Sequence, residues 1–592
     1  MTGPRIGPDD IVHLPRAGDA YPLDGQTLRV RLHTRRGLLE ECAVQWGDRY
    51  APRQQDQSAP MDRWAQDDHY DYWQAAIVQP THRVHYLFRV RPNPGGDRYW
   101  FGEEGISVDE PGTFMTAGYF HYAYIHQSEV FDSPIWAREA VVYQIFVDRF
   151  SNGDASNDPP GTVAWGTPPT GTMTAGGDLQ GIIDRLDYLV DLGVTTLYLT
   201  PIFLARSNHK YDTVDYTQID PAFGDEATLQ RLLDAAHGRG LRVILDAVFN
   251  HAGRHFGPWQ DVVDLQDRSP FRDWFHIFAF PVDPDAADTK ATFAHFGNHP
   301  SLPKLNTQNP AVRTYLFGVA ERWTRMGVDG WRLDAANEVD HAFWRELHAR
   351  VREINPQSVL IGEIWHEATQ FVRPGEFDGL THFPFWGACR AFIAMGTMDA
   401  ATFNNRLTRA RVPYQEQAVL WNVLGTHDTP RFLTDCGGDM RRMRIAFVVQ
   451  MTYPGVPHIY YGDEIAMPGE NDPGCRACMI WEPAPAQQEV RAYVRALIRL
   501  RAEHPALLRG GYTTLAAEPR RRVFAYARHL DGESLIVAVN AANRPAGFMV
   551  RGGLISGTTE WRDLLSDARF AVENDTLEVQ LPAYGSMVLG QG

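Results

Sequence analysis

Thr195-Thr-Leu-Tyr-Leu-Thr200, the segment Glu226 to His237, and Arg242-Val-Ile-Leu-Asp-Ala-Val-Phe249 follow one another along the chain. The first and last are short apolar runs bounded by polar residues. The middle one has helical spacing. Strand, helix and strand in that order predict a parallel pair. Upstream, Ala140-Val-Val-Tyr-Gln-Ile-Phe-Val147 predicts a further strand. Leu179 to Leu192 predicts one amphipathic helix with Ile182, Leu186, Leu189 and Val190 on its inner face. Downstream, predicted helices over 312–326, 341–354 and 488–504 alternate with strands over 330–335, 358–365, 380–385, 417–425 and 457–461. Eight strands suit a closed (β/α)8 barrel better than an open sheet.

Residues 251–306, rich in Pro, Asp, Phe and His, break the alternation. They predict an insert after the third strand that reaches over the barrel mouth. Short alternating runs at Thr27-Leu-Arg-Val-Arg-Leu32 and Arg83-Val-His-Tyr-Leu-Phe-Arg-Val90 predict an N-terminal β-sandwich over 1–125. Ser534-Leu-Ile-Val-Ala-Val-Asn540 and its neighbours predict a C-terminal antiparallel β-sandwich over 511–592. The barrel is thus expected in two parts, 126–250 and 307–510.

The chain has 592 residues, enough for several cores. Its formal charge of −17 argues against nucleic acid and anionic membranes as partners. No apolar run approaches the length of a membrane helix and the N-terminus has no apolar leader, so a cytoplasmic protein is expected. Five scattered cysteines do not form a disulfide framework, and Cys475-Arg-Ala-Cys478 lacks a second metal-binding half.

Three of the apolar runs end in an acid: Trp331-Arg-Leu-Asp334, Leu360-Ile-Gly-Glu363 and Val423-Leu-Gly-Thr-His-Asp428. Acids at the C-terminal ends of barrel strands stand where such barrels do chemistry. A nucleophilic carboxylate and a protonated one flanking a sugar bond are the equipment of a retaining glycosidase. Arg332, two residues before Asp334 on the same strand face, is expected to keep Asp334 ionised. Glu363, framed by Ile361, Ile364 and Trp365, is expected to hold its proton.

Asp246-Ala-Val-Phe-Asn-His251, Gly330-Trp-Arg-Leu-Asp-Ala-Ala-Asn-Glu338, Gly362-Glu-Ile-Trp-His366 and Leu424-Gly-Thr-His-Asp428 resemble, in order, the four signature segments of the α-amylase family, glycoside hydrolase family 13. The resemblance implies Asp334 as nucleophile, Glu363 as acid/base and Asp428 as the residue that holds the distorted sugar. It implies substrate contacts from Arg332, His251 and His427, and from Tyr211 and Asp212, with Asp246 in support. Leu302-Pro-Lys-Leu-Asn306, Ala336-Asn337-Glu338 and Asn471-Asp-Pro-Gly-Cys-Arg476 resemble segments of the neopullulanase, cyclomaltodextrinase and maltogenic amylase subgroup. They imply Asn337, Glu338, Trp365, Asp472 and Arg476 in the cleft, a starch-binding-like N-terminal module and a homodimer formed through it. Ala335 and Leu302 stand where the family usually has Val and Met.

Asn152-Gly-Asp-Ala-Ser-Asn-Asp158 offers oxygen ligands only, the set a hard cation takes, or a turn rich in Asx residues. The resemblance implies a structural calcium at Asn152, Asp154, Asn157, Asp158, Gly176 and Asp178. The implied activity is hydrolysis of α-1,4 bonds, and α-1,6 bonds as a second linkage, in cyclodextrins, pullulan and maltooligosaccharides, with transglycosylation. An α-glucosidase or oligo-1,6-glucosidase of the same family is the alternative. A non-catalytic glycan-binding protein is the remote one, and it would be expected to have lost an acid.

Overall fold

A computed structural model describes residues 6–16, 18–51, 56–108, 118–285 and 287–591. Eight parallel strands close into a barrel. They are β1 (Val142–Ile145), β2 (Thr196–Leu199), β3 (Arg242–Ala247), β4 (Gly330–Leu333), β5 (Val359–Gly362), β6 (Gly379–Thr381), β7 (Val419–Val423) and β8 (Val456–Tyr460). Closure is direct, because Val142 of β1 is registered against both Thr196 of β2 and His458 of β8. Val142, Tyr198, Ile244, Ile361 and Trp421 fill the barrel interior, while a larger core lies between the strands and the helices outside. A Cβ at Gly330 would stand 2.5 Å from Val359 Cγ2, so the start of β4 can approach β5 only as glycine.

Two sequence expectations change within the barrel. The stretch 179–192 forms two helices, Leu179–Asp184 and Leu186–Leu192. The backbone leaves helical geometry at Arg185 (φ −107°, ψ 6°), which re-aims the second piece. Leu186, Leu189 and Leu192 carry its buried face, and Val190 is exposed, contrary to expectation. The sixth strand stops at Thr381. Pro384 opens the helix Phe383–Cys389, as its missing N–H suits a first helical turn and not a strand ladder.

Among its described residues the insert after β3 holds the α-helix Gly257–Leu265, short 3-10 turns at Gln266–Arg268, Arg272–Trp274 and Asp288–Lys290, and isolated bridges such as His251↔Lys304 and Phe275↔Leu305. Trp259, against Phe275 and Phe293 at 4.8 and 4.6 Å between ring centroids, is its core. The N-terminal domain is two antiparallel sheets enclosing Leu28, Val30, Leu32, Val44, Tyr86 and Phe88. Arg31 breaks the alternation of its strand: it is buried, and its guanidinium donates to the Val412 and Tyr414 carbonyls of the barrel at 3.1 and 3.0 Å. Arg409 answers with an ion pair to Asp67 at 2.9 Å, so the two domains are docked by charge-assisted bonds. The C-terminal domain, from Gly511 on, is an eight-stranded antiparallel sheet folded over Ile536, Trp561, Leu577 and Val579. Among the described residues no helix is long and apolar enough to cross a membrane. All five cysteines are buried and free.

Candidate active site

Asp246 on β3 and Arg332 on β4 are register partners facing the barrel interior. Arg332 Nη1 donates to both Asp246 oxygens at 2.9 Å. Tyr198 and Tyr211 hydroxyls donate to Asp246 Oδ2 at 2.6 and 2.8 Å. Asp246 is therefore saturated, and its work is to hold Arg332 and Tyr211 in place.

Asp334 is the first residue after β4 and Glu363 the first after β5. Both end on the same guanidinium: Nη1 lies 3.0 Å from Asp334 Oδ1, and Nη2 lies 2.8 Å from Glu363 Oε1. The second oxygen of Asp334 is buried and has no hydrogen-bond partner. Glu363 accepts further from Trp365 Nε1 and from the Ala335 N–H, each at 3.3 Å. Ala335 adopts φ +45°, a costly conformation for a residue with a Cβ, in the turn just after Asp334.

Burial raises the proton affinity of Glu363, opposed by Arg332. It raises that of Asp334 well above the carboxylate range, again opposed by Arg332 and reinforced by Glu363, Asp246 and Asp428. This modifies the expectation that Arg332 would favour ionised Asp334 alone. One cation is divided among three acids, so Asp334 and Glu363 titrate as a unit.

Asp428, exposed at the mouth after β7, is clamped from two sides. His427 Nε2 lies 3.1 Å from its Oδ2, and Arg476 Nη2 donates to its Oδ1 at 3.0 Å. Burial, with Arg476 and Arg332 nearby, pushes the His427 pKa well below its usual value, so the ring is neutral. Its Nε2 faces a carboxylate and must carry the proton. Nδ1 then accepts from Gln144 Nε2 at 2.7 Å. Arg476 also pairs with Asp472 at 3.2 Å. The rings of Tyr211 and His427 stack at 5.3 Å with an interplanar angle of 5°.

Other expected site residues stand around this centre. His251, neutral with its pKa pushed down to about 3 by burial and by Lys304, stacks on Phe296 at 4.7 Å. Its Nε2 is buried without a partner. Asp212 does not reach the acids: it accepts from the Ser207 hydroxyl and N–H and closes the loop that carries Tyr211. Glu338 faces the insert, within 3.5 Å of Lys304 Nζ and 3.2 Å of Asn250 Nδ2. Asn337 is exposed beside it. Trp365 is half exposed and stacks on Phe383 at 3.7 Å.

Sequence reasoning missed Gln144, Tyr198, Asn250, Lys304 and Phe383. A glutamine inside the apolar run 140–147 was a usable signal, since a polar residue on an inner barrel position needs a partner. Phe383 gave none.

The expected metal residues also converge. Asn152 Nδ2 donates to Asp158 at 2.9 Å, and a Cβ on Gly176 would stand within 2.5 Å of both side chains. Asp178 accepts from the N–H groups of Gly153, Asp154 and Gly181 and from Asn157 Nδ2. The Asp154 side chain turns to Ser156 instead. Asn157 Oδ1 is buried with no partner. Among the described residues no group of three or more His, Cys, Asp or Glu is poised for a metal. The donors here are amide, carboxylate and backbone oxygens.

The α-amylase catalytic-domain family model matches residues 144–506, from β1 to the helix after β8. The chain belongs to the α-amylase family. The family's N-terminal Ig-like domain matches 8–126, and the maltogenic amylase C-terminal domain matches 512–588. This α-amylase family chain is 44% identical to neopullulanase 2 of Thermoactinomyces vulgaris, over 98% of its own length and 99% of that protein. It is 40% identical to an intracellular maltogenic amylase of Bacillus subtilis, over 90% of its length and 91% of that protein. A solved structure of a cyclomaltodextrinase matches it with a TM-score of 0.92 at 38% identity, covering 99% of this chain and 100% of that one. Membership makes the protein a glycosidase.

Proposed function

We propose that the protein is a retaining α-glucan hydrolase that cleaves α-1,4 bonds in cyclodextrins, pullulan and short maltooligosaccharides, with transfer to sugar acceptors as a side reaction. The observation that carries the reading is the shared guanidinium. Arg332 holds Asp334 and Glu363 side by side and leaves Asp334 Oδ2 free of any partner. That oxygen is the nucleophile.

In the first step Asp334 Oδ2 bonds to the anomeric carbon as the glycosidic bond breaks. The leaving oxygen takes the proton from Glu363. In the second step water attacks the same carbon, returns a proton to Glu363 and frees Asp334. A sugar hydroxyl in place of water gives transfer. Asp428, clamped by His427 and Arg476, accepts hydrogen bonds from the hydroxyls of the distorted ring. Tyr211 offers that ring a stacking face. Trp365 and Glu338 line the side from which water or acceptor enters. The names of the relatives, a neopullulanase, a cyclomaltodextrinase and a maltogenic amylase, support this substrate range.

Product chromatography on β-cyclodextrin, pullulan and starch in parallel tests the reading. The expected result is faster turnover of cyclodextrin than of starch. No turnover of cyclodextrin or pullulan would refute the subgroup and leave the α-glucosidase alternative.

We also infer a structural calcium held by Asn152, Asp154, Asn157, Asp158, Gly176 and Asp178. The unpartnered Asn157 Oδ1 and the all-oxygen donor set support it. Chelation should lower the melting temperature and added calcium restore it. An unchanged melt with no ion in elemental analysis would refute it. A homodimer through the N-terminal domain, which matches the family's Ig-like domain over 8–126, is part of the same proposal, and light scattering at the monomer mass would exclude it. A cytoplasmic location is supported by the relative named intracellular.

A further inference from the structure

We propose that the cleft between the barrel and the C-terminal domain binds a phosphate-bearing small molecule, a sugar phosphate or a nucleotide. The cleft has a volume of about 740 Å³ and lies where helix Met440–Thr452 meets the C-terminal sheet, away from Asp334 and Glu363. Five arginines line it: Arg442, Arg520, Arg521, Arg522 and Arg544. No acid is among the described residues that line it. In a chain of net charge −17 such a concentration of one sign runs against the composition.

Two of these guanidiniums are held in place by neutral oxygens and form no ion pair among the described residues. Arg442 donates to the Ala394 carbonyl at 2.6 Å and to the Tyr584 hydroxyl at 2.7 Å. Arg522 donates to the Gly396 carbonyl at 2.6 Å and to the Phe392 carbonyl. The Nε of each is buried without a partner. Burial, and the repulsion of Arg442, make Arg522 a weaker base than usual.

Three acids border the cleft, each with a partner of its own, and one of them neutralises a lining arginine. Glu518 pairs with Arg521 at 2.7 Å, and Asp439 with Arg441 at 2.7 Å. Asp399 accepts the Arg520 backbone N–H and caps the helix Ala400–Arg411. The Arg520 and Arg544 side chains make no ion pair among the described residues, and they stand at the rim. Two fixed, half-buried arginines and two rim arginines whose side chains form no ion pair among the described residues are a site for an anion. The planar fork of arginine matches phosphate oxygens two at a time. The volume exceeds what a bare ion needs and leaves room for a sugar or base.

The test is calorimetric titration of the full chain with glucose 6-phosphate, ADP and inorganic phosphate, with glucose and sodium chloride as controls. The expected result is saturable binding of at least one phosphate probe and none of glucose. In the double variant R520E/R544E binding should weaken by about tenfold or more, with cyclodextrin turnover unchanged. A phosphate ester that binds more tightly than inorganic phosphate assigns the ligand to that ester's class. Equal binding of inorganic phosphate and both esters would overturn the assignment to a phosphate ester. No binding of any probe, or equal binding by a folded double variant, would overturn the proposal. If the double variant fails to melt cooperatively, R544Q alone carries the same comparison.

Discussion

Arg332 Nη2 and Glu363 Oε1 are 2.8 Å apart, while Nη1 of the same guanidinium holds Asp334. The fork sets the distance and angle between the two carboxyls. A lysine supplies one compact charge and cannot hold both. R332K should therefore lower kcat on β-cyclodextrin by on the order of 100-fold or more, with a smaller change in KM. Steady-state kinetics decide it, and wild-type kcat in R332K would contradict the arrangement.

E363Q removes the proton donor and leaves the nucleophile. Turnover of cyclodextrin should fall by roughly 100- to 10,000-fold. A maltosyl fluoride, whose leaving group needs no proton, should lose far less in the first step. Equal losses on both substrates would mean that Glu363 is not the acid.

Trp365 Nε1 donates to Glu363 Oε1 at 3.3 Å, a bond that favours the charged carboxylate and so lowers its pKa. W365F keeps the ring stacked on Phe383 and deletes the N–H. The pKa of Glu363 should rise. Because Glu363 acts protonated, the alkaline limb of the kcat/KM profile should move to higher pH. A limb that stays in place or moves down would refute the role.

Arg476 holds Asp428 and Asp472 at 3.0 and 3.2 Å. Hydrogen bonds to a charged group contribute about 1.5–3 kcal/mol, so R476A should lower kcat/KM by roughly 10- to 100-fold. Unchanged kcat/KM would show that His427 alone positions Asp428.

Buried titrating groups give the fold two opposed pH dependences. His458 has its pKa pushed down to about 3 by burial, below the 6.5 of an exposed histidine. Its contribution is present above pH 6.5 and is lost as pH falls, because the unfolded chain takes the proton first. Asp463 is raised from 3.8 to about 7 by burial. Its contribution is present at low pH and is lost as pH rises toward 7. Relative to H458F, the wild type should lose about 2 kcal/mol between pH 7 and pH 5. Relative to D463N it should change in the opposite direction. Denaturant unfolding at the two pH values measures both differences, and the same sign for both would contradict the burial of one of them.

The sequence by itself determined the barrel. Eight apolar runs separated by helical spacing can bury their faces in few other ways, and strand-end acids at 334, 363 and 428 follow from a local pattern. It also determined the family, through four ordered motifs. It did not determine where Leu179–Leu192 breaks or where the sixth strand yields to helix. A turn at Arg185 and a proline three residues beyond a strand depend on what packs against them. Above all, it paired Arg332 with Asp334 because they are two residues apart on one strand. Only the closed barrel brought Asp246 and Glu363 to the same guanidinium, from residues 86 and 31 positions away. The acids are a property of the chain. Their sharing of one cation is a property of parallel strands in register around a ring.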